Sequence, residues 1–296
     1  MKTGKVLVVG DALLDEYVYG NIERISPEAP CSIFDISAPT EVRLGGALNV
    51  CKNLESIGAH TSYSGICSVE AQRLIAGENI KHHRIEYVLE DMKKTRFIAQ
   101  NKQVIRVDNF KKFGINARDC FSLHFRKETL LKYGCVIISD YNKGTISDDI
   151  ARYICENHPM VIVDSKRKNH DIFQGAYAVC VNEKEYNEST NLQHYPYAVR
   201  TEAAKGATIF LNMESNMPRH PGIHIDAISQ DVVDVTGAGD TFTAVLALVL
   251  LNGDSFENAC QVANHCCGII IKKFGTTPIL SSEFRNAYEY ELGMKF

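Results

Sequence analysis

Lys5-Val-Leu-Val-Val-Gly-Asp11 is an apolar, largely β-branched run that halts at a glycine and a carboxylate. Three later runs share its plan: Cys135-Val-Ile-Ile138 leads into Ser139-Asp140, Met160-Val-Ile-Val163 into Asp164, and Tyr177-Ala-Val-Cys-Val181 into Asn182. Continuous apolar runs suit strands covered on both faces, as in a parallel sheet. Their polar terminal residues then gather along the carboxyl edge, where open α/β sheets bind ligands. Between the runs, Leu48, Cys51, Leu54 and Ile57 share one helical face with Gly58 as a stop, and Ser147 to Glu156 repeats the pattern. Thr241 to Leu251 is apolar nearly all round, as a helix buried against a sheet would be. This alternation predicts an α/β fold: a doubly wound, mainly parallel sheet flanked by helices.

Two stretches break the rhythm. Residues 17–44 contain Cys31-Ser-Ile-Phe-Asp-Ile36 and Glu41-Val-Arg-Leu44; residues 84–108 contain Thr95-Arg-Phe-Ile-Ala99, a polar corner at Gln100 to Gln103, and Val104-Ile-Arg-Val-Asp108. Both read as half-exposed strands, the second as a hairpin. They predict a small β-sheet lid within a single domain of 296 residues, lying over the sheet edge or pairing with its copy in a homodimer.

Composition removes several classes of function. Lys and Arg number 32 against 36 Asp and Glu, a net charge of −4, which supplies no basic footprint for nucleic acid. The longest apolar run, Ala244 to Leu251, falls far short of the roughly 20 residues of a membrane span. Val6 to Val9 is too short for the core of a signal peptide. The expectation is a mature cytoplasmic chain without nucleic-acid or membrane partners. Ten cysteines without a Cys-x-x-Cys pair, mostly among apolar neighbours, read as reduced, buried hydrophobes.

The chemistry concentrates in Asp234-Val-Thr-Gly-Ala-Gly-Asp240, directly before the apolar helix. Gly237, Ala238 and Gly239 leave the N–H groups of a helix N-terminus open to a phosphate. Asp240, in the first turn, supplies the carboxylate that a phosphoryl transferase needs to accept a proton from an attacking hydroxyl. A capping Asp after a Gly-rich turn is the plain alternative; acids at both ends of a seven-residue pattern favour function. The Walker A pattern is absent, and Phe242 stands where the dinucleotide fingerprint requires its third glycine.

With Gly45-Gly46-Ala-Leu-Asn49, this segment resembles the PfkB/ribokinase family of ATP-dependent sugar kinases, over nearly the whole chain. Gly10-Asp-Ala-Leu-Leu-Asp-Glu-Tyr17, Arg24-Ile-Ser-Pro-Glu-Ala-Pro30, Gln103-Val-Ile-Arg-Val-Asp108 and Ser139-Asp-Tyr-Asn-Lys-Gly144 look like the heptose 7-phosphate kinases of bacterial ADP-heptose synthesis. The resemblance implies a ribokinase-like fold, ATP and magnesium as cofactors, and transfer of the γ-phosphate to a sugar hydroxyl, foremost the anomeric hydroxyl of a heptose 7-phosphate. Another sugar, a nucleoside, or silent binding of a sugar phosphate are the alternatives. It implies Asp240 as base, Gly237, Ala238 and Gly239 as anion hole, and Asp11, Asp15, Gly45, Gly46, Asn49 and Asp140 around the sugar. Asn182, Glu185 and Asp164 would hold magnesium through water, Lys166 would approach the transferring phosphate, and Thr236, Asn264 and Gly275 would serve the nucleotide. Of the cations Lys94, Arg96, Arg106 and Lys143, the last two are the candidates for gripping a phosphate on the substrate, while Arg96 reads as a solvated charge. Three segments depart from the family: Cys67 to Gln72 is abbreviated, Asn182 to Arg200 is short for a full helix, and Thr201-Glu-Ala-Ala-Lys-Gly206 keeps only the second glycine of Thr-x-Gly-x-x-Gly.

Overall fold

The computed structural model describes residues 4–78, 80–88, 91–110, 125–211, 222–228 and 231–293. In chain order the strands are β1 (Lys5–Gly10), β2 (Ala12–Ile25), β3 (Ser32–Ile36), β4 (Glu41–Gly46), β5 (His60–Ser68), β6 (Lys81–Val88), β7 (Lys93–Ala99), β8 (Lys102–Asn109), β9 (Cys135–Asp140), β10 (Val161–Ser165), β11 (Ala178–Asn182), β12 (Tyr197–Thr201), β13 (Gly206–Leu211) and β14 (Ile223–Asp226). The helices are α1 (Ala47–Ser56), α2 (Val69–Ala76), α3 (Lys127–Leu130), α4 (Asp148–Asn157), α5 (Glu183–Glu188), α6 (Ala238–Leu251), α7 (Phe256–Ile270) and α8 (Ser281–Leu292). All four apolar runs form strands, and the three helical patterns form α1, α4 and α6.

Nine strands build the large sheet in the order β14-β13-β12-β11-β10-β9-β1-β5-β6. From β6 to β12 every neighbouring pair is parallel; only β13 and β14 run antiparallel. Alternation along β1 sends Val6 and Val8 into one core and Leu7 and Val9 into the other. The first core includes residues of α1, α2, α6, α7 and α8, the second residues of α4. Apolar residues on both faces are therefore what two helical layers require. α6 is buried at Asp240 to Leu250, as its all-round apolarity predicts. Among the described residues no helix is long and apolar enough to cross a membrane, and the nine described cysteines are free thiols. Cys120 lies outside the described residues.

The small sheet has the order β3-β2-β7-β8, with β4 also paired to β2. It corrects the sequence reading at two boundaries. β2 begins at Ala12, so the sheet starts earlier than residue 17, and β6 pairs with β5 in the large sheet, so 84–88 do not belong to the lid. The hairpin turn is tighter than the polar corner suggests: Gln100 and Asn101 alone connect β7 to β8, both with positive φ (51° and 60°), as a two-residue hairpin turn demands.

Candidate active site

The chain reverses its direction across the large sheet between β1 and β9, and the loops at that point carry buried acids. Asp11 Oδ1 accepts from the Thr145 N–H and Oδ2 from the Lys143 N–H, both 3.1 Å. Asp140 accepts from the Asn142 N–H at 2.9 Å, Ser165 Oγ at 3.1 Å and Arg167 Nε at 2.6 Å. Burial, then the charge of Asp140, pushes the Asp11 carboxyl up. Both acids thus shape the Tyr141–Thr145 loop with their own carboxylates, rather than presenting them to a sugar as the resemblance implies.

What this loop delivers is Tyr141, whose hydroxyl donates to Asp240 Oδ1 at 2.8 Å. Burial, with Asp240 and Asp164 nearby, holds the Tyr141 phenol well above its ordinary range, so it remains a donor. Asn49 of α1 donates its amide to Asp240 Oδ2, also at 2.8 Å. Asn53, one turn on, bonds Asn49, Thr241 and the Ile279 N–H, tying α1 to α6. Burial raises the Asp240 carboxyl to about 6, against the downward pull of Asn49, Tyr141 and Lys94. A carboxylate poised there can take a proton at neutral pH.

Gly237 caps α6 with φ 82°, and a Cβ on it would meet Asn49 Nδ2 at 2.7 Å, so the turn admits no side chain. The turn is anchored from behind. Thr236 gives both its N–H and its hydroxyl to Asp234 Oδ1, while Asp234 Oδ2 accepts from the Gly275 N–H at 3.0 Å. Neither Thr236 nor Gly275 lines the cavity in front of the turn. Residues 274–277 are instead clasped by the small sheet: Arg43 Nη1 donates to the carbonyls of Phe274 and Thr276, and Tyr17 Oη accepts the Thr276 N–H. Gly275 therefore joins the small sheet to the glycine turn, a correction to its expected place beside the nucleotide base.

A cavity of about 630 Å³ runs from Asp240 and Gly237–Gly239 toward Asn264. Its far half is lined by apolar surface, including Ile228, Val232 and Ile271, large enough for a base. Asn264 lines it but gives its amide to the Asp226 carbonyl at 2.9 Å. Near the glycine turn stand Asp164, Lys166, Asn182 and Glu185. Asn182 and Glu185 form a reciprocal capping box on α5, each bonding the other's N–H at 2.9 Å, and Glu185 Oε1 still reaches Lys166 at 3.0 Å. Burial works against the Lys166 charge, yet Asp164 and Glu185 hold its ammonium above the usual lysine range. No cluster of three metal-ligating side chains exists among the described residues. One or two carboxylates, with water and nucleotide phosphates completing the shell, is the donor set magnesium accepts, so Asp164 and Glu185 fit such an ion.

Beside the small sheet, Asp15 commits one of its two carboxylate oxygens to an arginine. Arg96 Nη1 holds Asp15 Oδ1 at 2.6 Å in a buried pair, with the Arg96 guanidinium 5.4 Å from the Tyr17 ring centroid. Arg96 is 4% exposed, which corrects its reading as a solvated charge. A Cβ on Gly45 would fall 2.4 Å from Asp15 Oδ2, so the glycine makes room for that carboxylate. Gly46 caps α1 with φ 59°. Arg106 sits on a fully exposed strand and pairs with Asp108, and Lys143 Nζ lies 3.9 Å from the Phe110 ring centroid. Arg96, Tyr141, Asn53 and Arg43 are absent from the sequence-derived site, although Tyr141 lies inside Ser139–Gly144 and Arg96 is one of the four cations considered for a phosphate.

The family model for the pfkB family of carbohydrate kinases matches residues 3–283. Two proteins called bifunctional protein HldE are similar: that of Sulfurimonas denitrificans is 32% identical over 314 residues, covering 99% of this chain and 65% of the relative, and that of Haemophilus influenzae is 32% identical over 309 residues, covering 97% and 64%. The chain thus spans somewhat less than two thirds of their length. Among solved structures, ribokinase of Arabidopsis thaliana complexed with ribose and ATP superposes with a TM-score of 0.70 at 17% identity, covering 97% of this chain and 99% of that one. Phosphofructokinase-2 of Escherichia coli gives 0.76 at 14% identity with the same coverage. With a buried carboxylate set at the mouth of a glycine-walled helix N-terminus, the chain belongs to the pfkB family of carbohydrate kinases, phosphotransferases that act on a hydroxyl acceptor.

Proposed function

We propose that this kinase transfers the γ-phosphate of ATP to the anomeric hydroxyl of a heptose 7-phosphate, giving a heptose 1,7-bisphosphate. The observation that carries this reading is the likeness of Arg24–Pro30 and Ser139–Gly144 to heptose 7-phosphate kinases. The similarity to the HldE proteins supports the same acceptor.

In this mechanism the acceptor hydroxyl lies against Asp240, which accepts its proton as the oxygen attacks phosphorus. Asn49 and Tyr141 hold the carboxylate plane. The N–H groups of Gly237 to Gly239 take up charge on the phosphate, and Lys166 guards the nucleotide side. Asp164, Asn182 and Glu185 would hold magnesium, which would supply neutralisation of phosphate charge. Positioning supplies most of the rate.

The small sheet would act as a lid, with residues 1–296 forming one kinase domain. Its edge strand β8 is exposed along its length, with Val104, Ile105 and Val107 at the surface, and such an edge favours pairing with a second copy of the chain. Sedimentation should show a dimer that Val107→Asp converts to monomer; a monomeric parent protein would contradict the assignment. An acceptor screen with product identification tests the reaction: heptose 7-phosphate should be the best acceptor, and preference for an unphosphorylated sugar or a nucleoside would overturn the substrate.

A further inference from the structure

Lys94 stands on β7 in register with Asp15 of β2 on one side and Asp108 of β8 on the other. Neither acid answers it, because Asp15 is bonded to Arg96 and Asp108 to Arg106. Among the described residues, no hydrogen bond or ion pair engages Lys94 Nζ. The ammonium rests over the ring of Tyr141, 4.7 Å from its centroid. Lys166 lies 5.5 Å from the same centroid, and the Tyr141 hydroxyl bonds Asp240. One ring therefore gathers the carboxylate and two ammonium groups, Lys94 from β7 and Lys166 from just beyond β10. Lys166 has Asp164 and Glu185 as counter-ions; Lys94 has none among the described residues.

Burial disfavours the charge on Lys94, and only the more distant fields of Asp15 and Asp240 oppose that effect. A half-buried cation without a counter-ion is unfavourable until an anion arrives. Its neighbours define the anion. The space between Asp240 and the glycine cradle belongs to the group in transit, whose charge spreads over three equatorial oxygens.

We propose that Lys94 is a catalytic residue whose ammonium contacts an equatorial oxygen of the phosphoryl group as it passes from ATP to the acceptor. The inference rests on the reading of the chain as a sugar kinase. In the step, the bond from the γ-phosphorus to the β–γ bridging oxygen breaks, the acceptor oxygen bonds to phosphorus, the acceptor's proton moves to Asp240, and ADP keeps the bridging electron pair. Lys94 loses no proton; it stabilises charge that is otherwise uncovered on the lid side.

The test compares Lys94→Met and Lys94→Arg with the parent enzyme by steady-state kinetics on heptose 7-phosphate and unphosphorylated heptose. Calorimetry of ADP with aluminium fluoride, in the presence of acceptor, reads binding of the planar phosphoryl mimic without turnover. Lys94→Met should lower kcat about 10²-fold, the scale of losing one charge-stabilising donor, with both KM values nearly unchanged. It should bind ADP normally yet lose the fluoride-dependent gain in affinity, while Lys94→Arg keeps most of both. An unchanged kcat in Lys94→Met overturns the proposal. So does a rise in KM confined to the phosphorylated acceptor, which would place Lys94 on the acceptor's own phosphate. A parent enzyme that turns over normally in these assays isolates the failure to Lys94; one inert toward every sugar sinks the kinase reading and the proposal together.

Discussion

Asp240 combines an unfavourable position with a useful one. Burial raises its carboxyl from 3.8 to about 6. The group is ionised only above that value, so kcat/KM should climb with pH through about 6, and Tyr141→Phe, by removing a donor that favours the charged form, should move this limb to higher pH. A pH–rate profile checks both. The linkage runs the same way for stability: a raised folded-state pKa favours folding below 3.8 and loses that contribution as pH rises through 6. Asp240→Asn should therefore abolish turnover yet melt higher than the parent at pH 8, by at most about 3 kcal/mol, with the gap closing in acid. Equal melting at both pH values would contradict the assignment of burial as the dominant cause. At this scale the sequence reading succeeds where the pattern is local: the glycine turn and its acid lie within seven residues. It fails for Arg96, because nothing near residue 96 signals that Asp15 will lie one strand away, 81 positions earlier.

Among the elements, the cavity-lining turn at Glu202 to Gly206 carries a departure with a measurable consequence. Ala203 stands where the family's pattern has glycine, and it adopts the glycine-like conformation regardless, with φ 51°. A left-handed alanine costs about 1–2 kcal/mol, partly offset by the stiffer unfolded chain that alanine gives. Ala203→Gly should accordingly stabilise the protein by somewhat under about 1 kcal/mol in urea unfolding; destabilisation would mean that the alanine methyl packs usefully against the turn. The neighbouring Asn182–Glu185 motif has a dual character, since the same side chains that face the cavity also cap α5. Asn182→Ala should cost about 1 kcal/mol of stability through the lost cap, a loss visible without any nucleotide. The short Asn182–Arg200 segment accommodates α5 and a single 3-10 turn at Leu192–His194 before β12. Element types were legible because continuous apolar runs and helical periodicity are local properties. β2 escaped because its acids, glycine and tyrosines obscure alternation over its 14 residues.

Across the whole molecule, the topology turns scattered local signals into one site. Parallel strands bring Asp11, Asp140, Asp164 and Asn182 to a single sheet edge, and α6 presents its N-terminus there. The small sheet is latched to the glycine turn before α6 through Arg43, Tyr17 and residues 274–277, contacts spanning more than two hundred positions in the chain. Such long-range pairings, like that of β2 with β7, leave no trace in local periodicity, which is why the sheet's boundaries and its buried Asp15–Arg96 pair emerge only from the fold. Phosphoryl transfer to a phosphorylated sugar can be read in one spectrum, ³¹P NMR of the purified protein with ATP, magnesium and heptose 7-phosphate. A new anomeric phosphate signal should grow in equal proportion to ADP and be absent with Asp240→Asn; ADP accumulating without a phosphorylated sugar product, or no change at all, rules the reaction out.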